Sequence, residues 1–207
     1  MDPEWESADG VPISGFLMGG RRSTTVPLVF EAFNWEHGVF LGSIMGSQTT
    51  AAAAGSVGKL RRDPFAMRPF CGYHMGAYFG HWLKMGSDLG DRAPRFFCVN
   101  WFRQDANGRF LWPGFGDNSR VLKWICGRID GTADAVESPI GFVPTAASLD
   151  LEGLEIDSSD LNALLTVDPS EWLQDLDDIR TFFQPFGNGL PSELTEQLNQ
   201  LETRLKA

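Results

Sequence analysis

Residues 100–118 read NWFRQDANGRFLWPGFGDN, and no other stretch of the chain says as much about its fold. Asp105-Ala106-Asn107-Gly108 is a turn signal, because Asp and Asn side chains bond the backbone just ahead of them and Gly accepts a left-handed conformation. The turn sets Trp101-Phe102 on one limb and Phe110-Leu111-Trp112 on the other. Beyond it, Phe115-Gly116-Asp117-Asn118 leads into a helix carrying Val121, Leu122 and Ile125, with Asp117 or Asn118 as its cap. Several rings beside an amide and a glycine-exposed backbone can hold a flat heterocycle, and stacking contributes roughly 1 to 3 kcal/mol per base. The same rings would serve as core, and on residue types alone both readings stand.

Immediately upstream, residues 95–102 predict a strand, with Phe97, Val99 and Trp101 on one face and Phe96, Cys98 and Asn100 on the other. Further toward the N-terminus, residues 11–18 and 26–30 read as buried strands. Residues 33–45 suit a buried helix, with Trp35, Val39, Phe40 and Ile44 near helical spacing, although Gly38 and Gly42 interrupt it. Residues 72–85 read as a helix placing Tyr73, Ala77, Gly80, Trp82 and Leu83 inward.

The chain changes character near Gly131. Asp168-Pro169-Ser170-Glu171 is a helix start, with a capping residue, Pro at the first helical position and an acid soon after; Trp172, Leu176, Ile179 and Phe183 form the buried stripe. A second helix starts at Pro191 and buries Leu194, Leu198, Leu201 and Leu205. Two heptads are too few to favour a coiled coil over docking on the domain. The pattern is mixed α/β, with helices concentrated at the C-terminus. We expect a single partial domain, residues 1–131 holding the candidate pocket and residues 132–207 forming an acidic helical tail of the same domain.

The 207 residues suffice for a sizeable core, and 43% hydrophobic with 12% aromatic residues fit a folded chain. The net charge of -10 is unevenly placed: residues 132–207 carry 15 acids against 3 bases, and residues 1–131 carry 12 acids against 14 bases. The acidic part reads as solvated helix surface. A nucleic-acid binder would need a basic stripe, and the compact candidate, Lys59, Arg61 and Arg62, reads as surface or ion-pair residues. Cys71, Cys98 and Cys126 are odd in number and widely spaced, which suggests reduced thiols and no zinc site. With no signal-like start and no membrane-length apolar stretch, a soluble, cytoplasmic location is expected.

Two further segments could carry chemistry. Met18-Gly19-Gly20-Arg21-Arg22 runs from a strand into a glycine pair and two guanidinium forks, which suit phosphate or carboxylate oxygens; a turn with surface arginines is the plain alternative. Residues 47–59, SQTTAAAAGSVGK, have little side-chain area to keep them docked, as a lid requires; a short helix extending the preceding one is the alternative. His37, His74 and His81 lie apart and read as satisfied helix residues. There is no His-Glu-x-x-His, Gly-x-Ser-x-Gly or GxxxxGK[ST] stretch, and no candidate nucleophile.

GVPIS (10–14), GGRR (19–22), VPLVFEAFNWEHGVF (26–40), DPFAMRPF (63–70), GHWLKMG (80–86), VNWFR (99–103) and GRFLWPGFGDNSRVLKWI (108–125) together closely resemble the C-terminal part of GTP-dependent phosphoenolpyruvate carboxykinases. The likeness covers residues 2–154 and continues more loosely through the final helices. It implies the C-terminal nucleotide-binding part of the phosphoenolpyruvate carboxykinase fold. The implied activity is that of a lyase of gluconeogenesis, converting oxaloacetate and GTP reversibly into phosphoenolpyruvate, carbon dioxide and GDP. Mn2+ is the metal at the implied active site, and Mg2+ accompanies the nucleotide.

The resemblance further implies that Phe102, Phe110 and Phe115 form the guanine pocket, with Asn118 and the backbone of Phe115, Gly116, Asp117 and Asn118 reading the purine edge. Arg21 matches the catalytic arginine that engages the phosphates, and residues 47–59 match the mobile lid. Gln48 stands where many relatives have glutamate and Gly46 where some have arginine, in the manner of bacterial versions; His74 replaces a frequent asparagine. The phosphate-binding loop, the metal-binding lysine, histidine and aspartate, and the substrate-binding arginines and tyrosine would lie upstream of Met1. No metal ligand is therefore expected in this chain, which is expected to be a fragment inactive by itself. Small molecules are the expected partners, with no nucleic acid and no membrane, and the full-length form is expected to be monomeric. A noncatalytic guanine-nucleotide-binding or interaction fragment is the alternative.

Overall fold

The computed structural model describes residues 3–50 and 57–207. A five-stranded sheet runs in the order β1-β5-β2-β7-β6, built from β1 (Gly15–Gly19), β2 (Val29–Glu31), β5 (Arg95–Val99), β6 (Val136–Ser138) and β7 (Gly141–Val143). β1 lies parallel to β5, from Gly15 opposite Arg95 to Gly19 opposite Val99, and the other pairings are antiparallel. A separate hairpin pairs β3 (Gly46–Gln48) with β4 (Leu60–Arg62). The helices are α1 (Trp35–Ser43), α2 (Met75–Leu89), α3 (Asn118–Ile129), α4 (Ser158–Leu165), α5 (Pro169–Phe183) and α6 (Ser192–Lys206). No described helix is long and apolar enough to cross a membrane.

The alternation of β5 explains the layering. Phe96 and Cys98 face a core shared with Phe40 of α1, Phe79 of α2, Leu176 of α5 and Leu198 of α6, whereas Phe97 and Val99 face a second core with Trp124 of α3 and Leu164 of α4. A helix can lie this close to β5 only where side chains are missing: a Cβ on Gly38 of α1 would stand 2.1 Å from the Phe96 ring. The glycine that weakens α1 as an isolated helix is what lets it dock.

α5 and α6 form as their sequence predicts. Asp168 accepts the Ser170 amide and Pro169 opens α5, while both apolar stripes are buried, α6 packing on α1 and α5. Other expectations need correction. The first strand spans residues 15–19, not 11–18, because β5 begins at Arg95 and residues 11–14 have no partner strand among the described residues; Val11 and Ile13 are exposed. β2 begins only at Val29, although Leu28 is buried. α2 begins at Met75, after His74 caps it through Nδ1; Tyr73 and Ala77 are exposed, and Gly76 and Phe79 are its buried residues. The sequence reading missed α4, with only two buried leucines, and the β6–β7 hairpin, whose three-residue strands are too short to show a period.

Candidate functional site

β5 ends at Val99, and the chain turns through the 100–118 stretch at that end of the sheet. Asp105 makes the turn: its Oδ1 accepts the amides of Asn107 at 2.9 Å and Arg109 at 3.0 Å, and Gly108 takes φ +80°. The Arg109 amide bond is the leading reason the Asp105 carboxyl lies below its usual pKa range. The two limbs are joined by Asp105 N to Arg109 O at 3.0 Å and Leu111 N to Arg103 O at 2.9 Å. This brings Phe102 and Phe110 together, ring centroids 6.1 Å apart and edge to face at 73°. Phe110 is 53% exposed, and a cleft of about 480 Å³ opens beside it, lined by Leu111, Pro113, Ile156 and Asp160 among others. Arg109 is forked onto Asp160 at 2.9 and 3.0 Å, the first cause of its raised pKa.

Phe115 sits apart from that pair. It is 95% exposed, has φ +50°, and makes no ring contact with another described residue. Gly114 before it also has positive φ, at +75°, so the chain reverses sharply into α3. Asp117 occupies the cap position of α3, but its carboxylate holds Arg120 Nε at 2.9 Å and makes no capping bond. Asn118 begins the helix and accepts Trp112 Nε1 through Oδ1 at 2.9 Å. Its side-chain Nδ2 makes no hydrogen bond to another described residue, whereas its backbone N–H donates to Phe115 O and Gly116 O. Gly116 is exposed between the two, and a Cβ there would meet open space.

Arg21 reaches the same place from β1. A Cβ on Gly19 would lie 2.2 Å from Val99 O, and one on Gly20 2.4 Å from Gly46 O, so the glycine pair threads between β5 and β3. Arg21 then emerges with its guanidinium carbon 5.8 Å from the Phe102 ring centre. Its backbone amide donates to Ser47 Oγ at 3.1 Å and its amide neighbour in β3, Gln48, donates to Arg21 O at 2.8 Å. Gln48 also grips Ser23, accepting its amide at 2.8 Å and donating to Oγ at 2.9 Å.

Of the two alternatives for Arg62, surface or ion-pair residue, the structure shows the ion pair, and Arg22 is not the surface arginine of the plain turn alternative. Both are nearly buried and share the carboxylate of Asp175 on α5, at 3.3 and 2.7 Å, and Arg62 also bonds Asp178 at 2.7 Å and Ile44 O at 2.7 Å. The acidic C-terminal part is therefore more than solvated helix surface.

The expected lid is the connection of the β3–β4 hairpin, so residues 46–48 are strand and do not extend α1; residues 51–56 lie outside the described residues. No group of three or more His, Cys, Asp or Glu that could hold a metal ion occurs among the described residues. Burial pushes the Cys98 thiol up to about 12, leaving it inert as a nucleophile. His37 is satisfied only at Nδ1, which accepts Phe33 N at 3.1 Å; its Nε2 is buried without a partner among the described residues.

Sequence reasoning assigned no role to Asn100, the most connected polar side chain here. It is fully buried; Oδ1 accepts the amides of Arg22 at 3.3 Å and Phe102 at 3.2 Å, and Nδ2 donates to Arg22 O at 2.9 Å and Val26 O at 2.8 Å. One polar residue on an otherwise apolar strand face was the signal available.

The family described as Phosphoenolpyruvate carboxykinase C-terminal P-loop domain matches residues 1–204. Proteins named phosphoenolpyruvate carboxykinase (GTP) are similar throughout: that of Treponema pallidum is 54% identical over 204 residues, 97% of this chain and 33% of the relative. That of Paenarthrobacter aurescens is 53% identical over 98% of this chain and 33% of the relative, and that of Chlamydia caviae 50% over 100% and 34%. The chain belongs to the phosphoenolpyruvate carboxykinase family, as its C-terminal domain. It spans about a third of the length of these relatives.

Proposed function

We propose that this chain is the guanine-binding part of a GTP-dependent phosphoenolpyruvate carboxykinase, an enzyme that interconverts oxaloacetate and GTP with phosphoenolpyruvate, carbon dioxide and GDP. The observation that carries the reading is the convergence at one end of the sheet of the Phe102–Phe110 ring pair and the Arg21 guanidinium over Phe102. In this reading the guanine is held against Phe102, Phe110 and Phe115. The Asn118 side-chain Nδ2 and the backbone of residues 115–118 read its edge. Guanine and adenine present opposite donors and acceptors there, so each mismatch leaves a group unpaired at a cost of about 1 to 3 kcal/mol. Arg21 would place fixed positive charge on the phosphates, and the β3–β4 connection would close as a lid that excludes water.

Manganese, and magnesium with the nucleotide, would supply charge neutralisation at the phosphates. The described residues offer no cluster of three or more His, Cys, Asp or Glu to hold either ion. We take the chain as one partial domain, residues 132–207 being its acidic helical tail, of a cytoplasmic, monomeric enzyme whose partners are small molecules, without nucleic acid or membrane.

Titration of the 207-residue chain with GTP and ATP, followed by the fluorescence of Trp101 and Trp112, tests the reading. GTP binding at least tenfold tighter than ATP is expected; equal affinities, or no response to either, would refute it. The chain alone should form no phosphoenolpyruvate from oxaloacetate and GTP with manganese, and turnover above blank would show that it carries more of the machinery than proposed.

A further inference from the structure

The geometry points to Asn100 as the positioning residue that fixes the distance between the two ends of the nucleotide site, an inference that rests on the reading just given. The parallel ladder between β1 and β5 stops at Gly19 opposite Val99. One residue later the Asn100 side chain takes over the work of a neighbouring strand, accepting the Arg22 amide and donating to the Arg22 carbonyl. Gly20 and Arg21 are thereby held as a two-residue bow between the last ladder pair and this clamp.

The same Oδ1 that accepts Arg22 N also accepts Phe102 N, so one oxygen atom joins the phosphate-facing loop to the base-facing ring. Nδ2 meanwhile donates to Val26 O, just past Thr25, a buried residue at φ +69° that needs its neighbours to hold it there. All four hydrogen-bonding positions of the amide are filled, so its orientation is fixed by the network.

A ligand gripped at two ends gains from the linkage only while the spacing of the two anchors matches it. Loosening the clamp should therefore cost GTP more than it costs either half of GTP. Asn100→Asp keeps the size and the oxygen that accepts Arg22 N and Phe102 N but turns a second oxygen toward the carbonyls of Arg22 and Val26. The test measures the binding of GTP, GMP and tripolyphosphate to the wild-type chain and to this variant, each checked for native near-UV circular dichroism. GTP should weaken at least tenfold, with GMP and tripolyphosphate unchanged within about twofold. Unchanged GTP affinity overturns the inference, and so does a parallel loss of all three ligands. Should Asn100→Asp not fold, Asn100→Ser, which buries no charge, is held to the same split; if neither folds, Asn100 is a folding residue and the inference falls. A wild-type chain indifferent to GTP would instead sink the nucleotide reading itself.

Discussion

Replacing Phe115 by glycine should make the chain more stable and a worse binder of GTP. At φ +50° the Phe115 backbone is in the left-handed region, which costs a residue with a Cβ roughly 1 to 2 kcal/mol. The ring repays almost none of this in the free chain, since it is 95% exposed and touches no other ring among the described residues. Glycine removes the strain but gives the unfolded chain more freedom, worth about 0.5 to 1 kcal/mol against it. The net gain is about 0 to 1.5 kcal/mol, or a Tm rise of up to about 6 °C for a chain of this size. If the ring stacks on the base, its loss costs about 1 to 3 kcal/mol, a weakening of about 5- to 150-fold. Thermal melts followed by circular dichroism and GTP titrations on one preparation give both numbers. Phe115→Asn, which tolerates left-handed backbone without adding a third glycine to Gly114 and Gly116, should behave alike. A variant that melts lower, or binds GTP as well as the parent, would refute the reasoning that the strain is kept for the ligand.

Other substitutions and conditions test the scaffold. Burial, with the nearby Arg204 charge second, holds the His37 imidazole down to about 3; the unfolded chain, with an ordinary value near 6.5, takes up the proton first. Stability should therefore fall as pH drops below about 6.5, by about 2 kcal/mol at pH 5 relative to pH 7, and in urea melts this loss between pH 7 and 5 should appear in the parent and not in His37→Gln. Asp175→Asn leaves Arg22 and Arg62 buried around a neutral group and should cost about 3 to 5 kcal/mol, read by urea denaturation; a loss under 1 kcal/mol would mean the arginines find water or Asp178 instead. Leu198→Ala, in the stripe of α6 that docks on α1 and α5, should cost about 2 to 5 kcal/mol in the same assay, and a negligible loss would show that α6 is not part of the cooperative core.

What the sequence made legible follows from which signals are local. The α5 start is a capping residue, a proline and a stripe within one stretch, and the Asp105 turn is made by its own side chain, so both could be read without knowing the rest. β5 was legible because its two faces alternate, although the strand ends at Val99 and not at 102 as the alternation suggested. By contrast, the extent of β1 depends on where β5 begins, some eighty residues away, and α4 carries too few apolar residues to declare a period. The site divided the same way. Phe102 and Phe110 come together through a local turn, but the Arg21–Phe102 approach depends on the glycine pair threading between β5 and β3, and Asn100 acquires its role only from carbonyls on another segment.

The charge asymmetry of the chain shows how the acidic tail and the candidate site depend on each other. Asp150 pairs with Lys123 and Arg120, Asp160 with Arg109, and Asp175 with Arg22 and Arg62, so the tail's acids meet bases of the first 131 residues. These pairs are not equal. Asp160 and Arg109 meet at a surface where solvent and salt reduce an ion pair to about 1 kcal/mol or less, so that contact trims the turn between Phe102 and Phe110 without holding it. Asp175 lies 8% exposed between two arginines that are 11% and 6% exposed, where removing one partner leaves charge in a poor solvent. Because Arg22 follows Arg21 and Arg62 closes the β3–β4 hairpin, α5 anchors both the loop and the hairpin that flank the candidate phosphate position. A truncation ahead of α5 should therefore loosen Arg21 although its hydrogen bonds run to Ser47 and Gln48 and not to α5, which makes the tail part of the candidate site's frame.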